Sequence, residues 1–260
     1  MDFKLAPIRH KNSTNKFSNA YSIANRMQKK YPNKKAYNSI IPLKIFQTWH
    51  TKDLPQNMKI ATDIIKTKNP AFQHFLYDDN DCREFIKNNY PIEVLEAFDT
   101  LIPGAYKADL WRYCILYKEG GIYMDIKYIP HNDFRFINLT ESENFVLDAD
   151  KNGVYNALIA CKPGNKILHR AINAVVRNVK NRYYGRTNLE PTGPHLLSRF
   201  FHPLVKKFLP LKHEIYNNDK FITVRGIIIL KMYNNYYSEI GQNEKAPHYS
   251  ILWGQKKIYA

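Results

Sequence analysis

The sequence predicts an α/β domain in which a mostly parallel central sheet is flanked by helices, and three observations carry that expectation. Along residues 40–128, stretches of period-two apolar alternation take turns with stretches of three- and four-residue apolar spacing. The stretches are short and broken by Pro, Asn and Asp, as in strand-helix-strand units. A glycine pair, Gly120-Gly121, separates the longest helical stretch from a strand that ends in charged residues. At 260 residues the chain can bury a core, and one domain over residues 39–260 is expected behind an N-terminal extension of residues 1–38.

In chain order, the extension is polar and basic, with a short helical pattern over residues 21–31 before Pro32. The first strand covers residues 40–49, where Ile41, Leu43 and Ile45 alternate, and it ends in Gln47, Thr48 and Trp49. A Trp there offers either a flat face for a nucleobase, with Gln47 bonding its edge, or a core side chain. Residues 57–68 read as a helix and 72–77 as a second strand. Asp78, Asp79 and Asp81 then cap a helix over 82–88, which accounts for this acidic cluster without a metal.

Residues 105–118 hold no Pro or Gly, and Ala108, Trp111, Cys114 and Ile115 mark one buried face. Asp109 and Arg112, three apart, lie side by side on that helix. After the glycines, residues 122–129 read as one strand with Ile122, Met124 and Ile126 on one face and Tyr123, Asp125 and Lys127 on the other. A carboxylate near a strand's carboxyl end, after a helix bearing Asp and Arg, is the arrangement of a ligand crevice in an α/β sheet; a surface ion pair is the competing account. Further strands are expected over 144–147 and 154–161, a packing helix over 167–180, and an apolar helix over 196–208 entered through Thr192-Gly193-Pro194.

The run Ala108-Asp109-Leu110-Trp111-Arg112-Tyr113, followed by Gly120-Gly121-Ile122-Tyr123-Met124-Asp125, resembles the DxD sugar-binding region of glycosyltransferase family 32. That family includes fungal α-1,6-mannosyltransferases and is related to the large glucosylating bacterial toxins. The resemblance covers residues 42–163, with looser similarity out to Trp253. It implies a GT-A-like fold and a retaining transfer of sugar from a nucleotide-diphosphate donor, a UDP-sugar first and GDP-mannose second, to a hydroxyl of a glycan, protein or lipid. It also implies donor contacts from Gln47, Trp49, Asp109, Arg112, Tyr123, Asn156 and Trp253, and a Mn²⁺ or Mg²⁺ held by Asp125 with His248. The chain departs from the family in carrying Asp125-Ile126-Lys127 where the pattern has Asp-x-Asp. A protonated Lys127 cannot ligate a cation, so either it places its own charge on the phosphates or it turns away while other groups hold the metal. No general base is nominated; in such enzymes the leaving phosphate takes the acceptor's proton. The alternative from another class is a non-catalytic nucleotide-sugar or nucleic-acid binding protein that has lost metal chemistry.

Composition bounds these readings. A net charge of +16, from 39 basic and 23 acidic residues, favours anionic partners, but the basic residues are scattered rather than gathered in a nucleic-acid-binding tail. The 3 cysteines show no zinc or disulfide spacing and fit a reducing compartment. No run of about 20 apolar residues and no signal-like N-terminus is present, so a soluble enzyme or one cut from its anchor is expected.

Overall fold

The computed structural model describes residues 23–243 and 247–260. It has one nine-stranded sheet in the order β2-β1-β3-β6-β5-β7-β8-β9-β4 with helices packed on it. The strands are β1 (Lys44–Thr48), β2 (Gln73–Tyr77), β3 (Gly121–Met124), β4 (Tyr128–Pro130), β5 (Asn144–Leu147), β6 (Val154–Cys161), β7 (Leu211–Tyr216), β8 (Asp219–Val224) and β9 (Ile227–Met232). The main helices are α1 (Gln56–Lys68), α2 (Asp79–Asn89), α3 (Ile92–Thr100), α4 (Gly104–Glu119) and α5 (Lys166–Lys180). Short helices follow as α6 (Pro194–Ser198), α7 (Pro203–Lys207), α8 (Tyr236–Asn243) and α9 (Tyr249–Gly254). Of the expected N-terminal helix, residues 21–22 lie outside the described residues and 23–28 are helical. Arg26 pairs with Glu214, and Tyr31 packs edge-on against Phe134.

The α/β class is as the sequence predicts, with one correction to the strand directions. β1 is parallel to β2 and β3, but β6, β8 and β9 all run antiparallel to their neighbours, so the sheet is mixed rather than mostly parallel. For β8 and β9 the change of direction comes from two tight hairpins, Asn217-Asn218 and Arg225-Gly226, whose residues take the positive φ that such turns need, and for β6 from the turn that joins it to β5.

A second correction concerns residues 122–129, which are not one strand. β3 stops at Met124, residues 126–127 turn, and β4 resumes at Tyr128 on a different partner, β9. β3 and β4 are six positions apart in the sheet order, yet only three residues connect them. That connection reaches at most about 14 Å, roughly three strand spacings. The sheet must therefore curl until its β9-β4 edge comes round to β3. Ile122, Met124, Tyr128, Val146, Leu158, Ile222 and Leu230 fill one side of it. Helices α2 to α5 cover the other side through Phe46, Tyr123 and Ile159.

Helix α4 is enclosed on all faces rather than on one, and residues 109–116 are buried without a break. It ends on Gly120 at φ 62°, where a Cβ would lie 2.6 Å from Pro163 Cδ, and Gly121 at φ 104° leaves no room for a Cβ beside the Lys44 carbonyl at 2.8 Å. Both glycines are thus required, one for handedness and one for the approach of β3 to β1. The apolar helix expected over 196–208 is interrupted before Pro203, which has no N–H to continue the ladder and instead starts α7. Cys82, Cys114 and Cys161 are buried free thiols.

Gly121→Ala is expected to lower unfolding free energy by at least about 2 kcal/mol in denaturant titration. Gly104→Ala, with nothing within 4 Å of its Cβ, is expected to be neutral or stabilising.

Candidate active site

Four charges alternate in sign where α4 faces the end of β3. Arg112 Nη2 lies 3.3 Å from Asp109 Oδ1, Arg112 Nη1 lies 3.1 Å from Asp125 Oδ1, and Lys127 Nζ lies 2.5 Å from Asp125 Oδ2. The i, i+3 spacing of the helix brings the first pair together, and the turn after β3 brings the last. Tyr123 OH donates to Asp125 Oδ1 at 2.8 Å, and the Arg112 guanidinium lies 4.3 Å from the centre of the Tyr123 ring. Arg112 is fixed further by donating to the carbonyls of Ala108 and Asn156.

Two supports hold this cluster from other elements, Asn156, which the resemblance gives as a donor contact, and Thr192. Asn156 Nδ2, on β6, donates to Asp109 Oδ1 at 2.9 Å and Thr192 Oγ1 donates to Asp109 Oδ2 at 2.8 Å. Tyr113 OH, one turn along α4 from Asp109, donates to the Thr192 carbonyl and meets Asn156 Nδ2 at 2.8 Å. Thr192 thus acts through its side chain on Asp109. The i, i+4 relation of Asp109 and Tyr113 is the sequence signal for it. On the other side, Lys127 sits over the rings of Tyr128 and Tyr155 at 5.4 and 5.6 Å. Tyr155 stacks flat on His213 at 3.8 Å, and His213 Nδ1 is held by Asp148 at 2.8 Å.

Electrostatics follow from this packing. Burial pushes the Asp125 carboxyl up, but Lys127, Arg112 and the hydrogen bonds from Lys127 and Tyr123 outweigh it and hold the group well below the usual carboxylate range. For Lys127 burial is likewise outweighed, chiefly by Asp125, and its ammonium is held above the ordinary value. Asp109 is raised by burial, with Arg112 and Thr192 opposing. Asp125 and Lys127 are the open edge of the cluster, with side chains 19% and 13% exposed, whereas Asp109 and Arg112 lie deeper.

The remaining expected site residues fall elsewhere. Gln47 is fully buried and its Oε1 meets His74 Nε2 at 2.7 Å, so its edge faces a side chain of β2 rather than a crevice. Trp49 is half-buried against Met58, Ala61, Ile126 and Tyr233, which places it behind the turn that carries Lys127. Trp253 donates its indole N–H to the Tyr184 carbonyl at 2.6 Å and packs on the helical core. His248 is exposed and caps α9, accepting from Ser250 N. Tyr249 is the residue of that helix that comes near the charges: its ring lies 5.7 Å from Tyr106, and Asp109, Lys127 and Asp125 all act on its phenol. A cavity of about 200 Å³ lined by Asn57, Ile60, Ile64, Ile129 and Lys231 contains none of the four charges.

The donor set does not fit a divalent cation. Both oxygens of Asp125 are engaged by cations or a phenol, and no group of three or more His, Cys, Asp or Glu suited to a metal occurs among the described residues. Asp78 and Asp81 form the expected capping box on α2. No helix among the described residues is long and apolar enough to cross a membrane.

Residues 55–146 match a family described as a glycosyltransferase sugar-binding region containing a DXD motif. The chain is 29% identical to inositol phosphoceramide mannosyltransferase 2 of Schizosaccharomyces pombe over 187 residues, covering 72% of this chain and 53% of that protein. It is 33% identical to mannosyl phosphorylinositol ceramide synthase SUR1 of Saccharomyces cerevisiae over 160 residues, covering 61% of this chain and 41% of that protein. The chain thus spans about half the length of the curated relatives it matches. Among solved structures it is similar to the PaToxG glycosyltransferase, with 17% identity, a TM-score of 0.45, and coverage of 75% of this chain and 76% of that one.

Asp125→Ala strands two buried cations and is expected to cost about 3–5 kcal/mol of stability by denaturant unfolding. Lys127→Met, which leaves Asp125 with Arg112 and Tyr123, is expected to cost less. A pH dependence follows from His74, which burial and then Lys66 lower from 6.5 to about 4. Between those values the unfolded chain binds the proton and the folded chain does not, so stability is lost as pH falls through the window, by up to about 3 kcal/mol. Melting curves of His74→Gln should show a smaller loss from pH 7 to 4 than the parent.

Proposed function

Residues 55–146 match the glycosyltransferase sugar-binding region that contains the DXD motif, and on that likeness we propose that the chain transfers a hexose from a nucleoside diphosphate sugar to a hydroxyl. The convergence of Asp109, Arg112, Asp125 and Lys127 on one spot carries this reading. Its relatives include an inositol phosphoceramide mannosyltransferase and a mannosyl phosphorylinositol ceramide synthase, which favours mannose as the sugar and a phosphoinositol lipid as the acceptor class. A GDP-linked donor thereby moves ahead of the UDP-sugar that the motif alone suggests.

Lys127 is the diphosphate-binding residue in this scheme. Its ammonium has three N–H donors, of which one is spent on Asp125 and the others meet only aromatic faces among the described residues. Asp125 holds that ammonium in place instead of ligating a metal. Asp109, oriented by Asn156 and Thr192, keeps an oxygen lone pair for a sugar hydroxyl, while Arg112 fixes its angle. The indole N–H of Trp49 has no partner among the described residues, and it remains our choice for the base contact in preference to Gln47.

In the reaction the bond from the anomeric carbon to the phosphate oxygen breaks as the bond to the acceptor oxygen forms. The acceptor's proton passes to the departing phosphate, and the sugar keeps its anomeric configuration. Both carboxylates are committed to cations, which leaves neither as an obvious base and supports that route for the proton. Positive charge at Lys127 and Arg112 stabilises the leaving diphosphate.

The test is turnover of a panel of nucleotide sugars with phosphoinositol lipid, with and without chelator. We expect GDP-mannose to be consumed, chelator to leave the rate within about twofold, and Lys127→Ala to cut kcat/KM by about 100-fold or more, the range of a lost charge-stabilising donor. Activity that collapses in chelator and returns with Mn²⁺ overturns the role of Lys127. Binding without turnover favours a nucleotide-sugar-binding protein, a reading that the unsuitable metal donor set also supports.

A further inference from the structure

Outside the site, the surface carries one concentrated apolar protrusion. Helix α7 and the residue after it expose Leu204 at 62%, Val205 at 57% and Phe208 at 75% of their surfaces. Exposed side chains of this size cluster rarely on a soluble surface without a partner. The protrusion is rigidly seated: Leu209 and Phe201 on either side are buried, the Phe201 ring packs on Phe145, and Lys206 Nζ donates to the Asn152 carbonyl at 2.8 Å.

Lysines lie close by in the fold. Lys207 ends α7, Lys212 is the second residue of β7, three beyond the buried Leu209, and Lys151 adjoins the residue to which Lys206 is tied. Lys151, Lys207 and Lys212 are exposed and form no ion pair among the described residues. The formal charge of the whole chain is +16. Apolar side chains at a tip, with exposed lysines close by in the fold, match the interface of an anionic bilayer, where the first group enters the acyl boundary and the second meets the headgroups.

We propose that residues 202–212 dock the protein on an anionic lipid surface. Charge complementarity selects this occupant over an apolar protein groove, which would leave the lysines unmatched. Docking also places the site sensibly. A Cβ at Gly153, beside Asn152, would lie 2.9 Å from Pro194 Cβ and 3.1 Å from Asp148 Oδ2, and one at Gly193 would lie 3.3 Å from Asp109 Oδ2, so the 148–153 turn packs near the start of α6 and that start near the charged cluster. An acceptor held in the bilayer would be presented at the side of the cluster that Thr192 closes. The proposal itself rests on surface chemistry and stands whether or not the transfer reaction is as described above.

The test is sedimentation of the full chain with phosphatidylcholine vesicles, with and without phosphatidylserine, at low and raised salt. We expect binding to the anionic vesicles that weakens with salt. In Leu204→Ser/Phe208→Ser and, separately, in Lys207→Glu/Lys212→Glu, partitioning should fall by about tenfold or more. Melting temperatures of both variants should match the parent, since every replaced side chain is exposed. Absence of binding to anionic vesicles overturns the proposal, as does binding that the variants leave unchanged. A parent that is dimeric by light scattering and becomes monomeric in Leu204→Ser/Phe208→Ser, without loss of vesicle binding, assigns the tip to self-association instead.

Discussion

A buried row of alternating charge governs this molecule. Asp109, Arg112, Asp125 and Lys127 each lose water on folding, and an isolated charge in such surroundings is costly. The row is tolerable because every member has an opposite neighbour within 3.3 Å and further hydrogen bonds besides. The consequence is geometric. Helix α4 cannot slide or rotate against β3 without stranding a charge, so the contact that neutralises the row also fixes the helix to the sheet. Asn156 from β6 and Thr192 from the turn before α6 are drawn in because Asp109 has oxygens left to satisfy.

The curl of the sheet depends on the same place. Strand β3 hydrogen-bonds to β6 as far as Met124, and β4 hydrogen-bonds to β9 from Tyr128 onward. The three residues between them are the ones that carry Asp125 and Lys127. A turn with two different ladders at its ends leaves its side chains uncommitted to either sheet face, and they are free to meet each other and Arg112. Had the segment continued as one strand, Asp125 and Lys127 would have stood side by side on the strand's polar face without Arg112 being wedged between carboxylates.

Sequence patterns reached part of this. The helix with Asp109 and Arg112, its stop at two glycines, the strand after it and the capping of α2 by Asp78 were all legible, because each is decided within a few residues. The break at Asp125 was hidden, since alternation of Ile122, Met124 and Ile126 looks the same on either side of a change of partner. The antiparallel half of the sheet left its signals in Asn217-Asn218 and Arg225-Gly226, local turn chemistry that apolar spacing does not register. For Gln47 and His248 a resemblance alone supplied the roles, while what the structure shows of them is the contact with His74 and the capping of α9.

Replacing an acid by a lysine at residue 127 changes the local charge by two units, and this bears on how a diphosphate is held. Two carboxylates beside phosphates repel them and require a cation between. Here the row is neutral overall, with Asp125 and Lys127 together at its open edge and Asp109 and Arg112 deeper. In the reaction we propose, an incoming diphosphate meets this ion pair, of which Lys127 supplies the positive charge. Lys127 can turn toward it while Asp125 keeps Arg112 and Tyr123 as partners, so no buried charge is abandoned in the exchange. The aromatic bed of Tyr128 and Tyr155, pinned through His213 to Asp148, confines the ammonium to a short arc between carboxylate and phosphate. A site of this kind gains in specificity for the anion what it gives up in affinity for a divalent ion, because the charge that does the holding belongs to the chain.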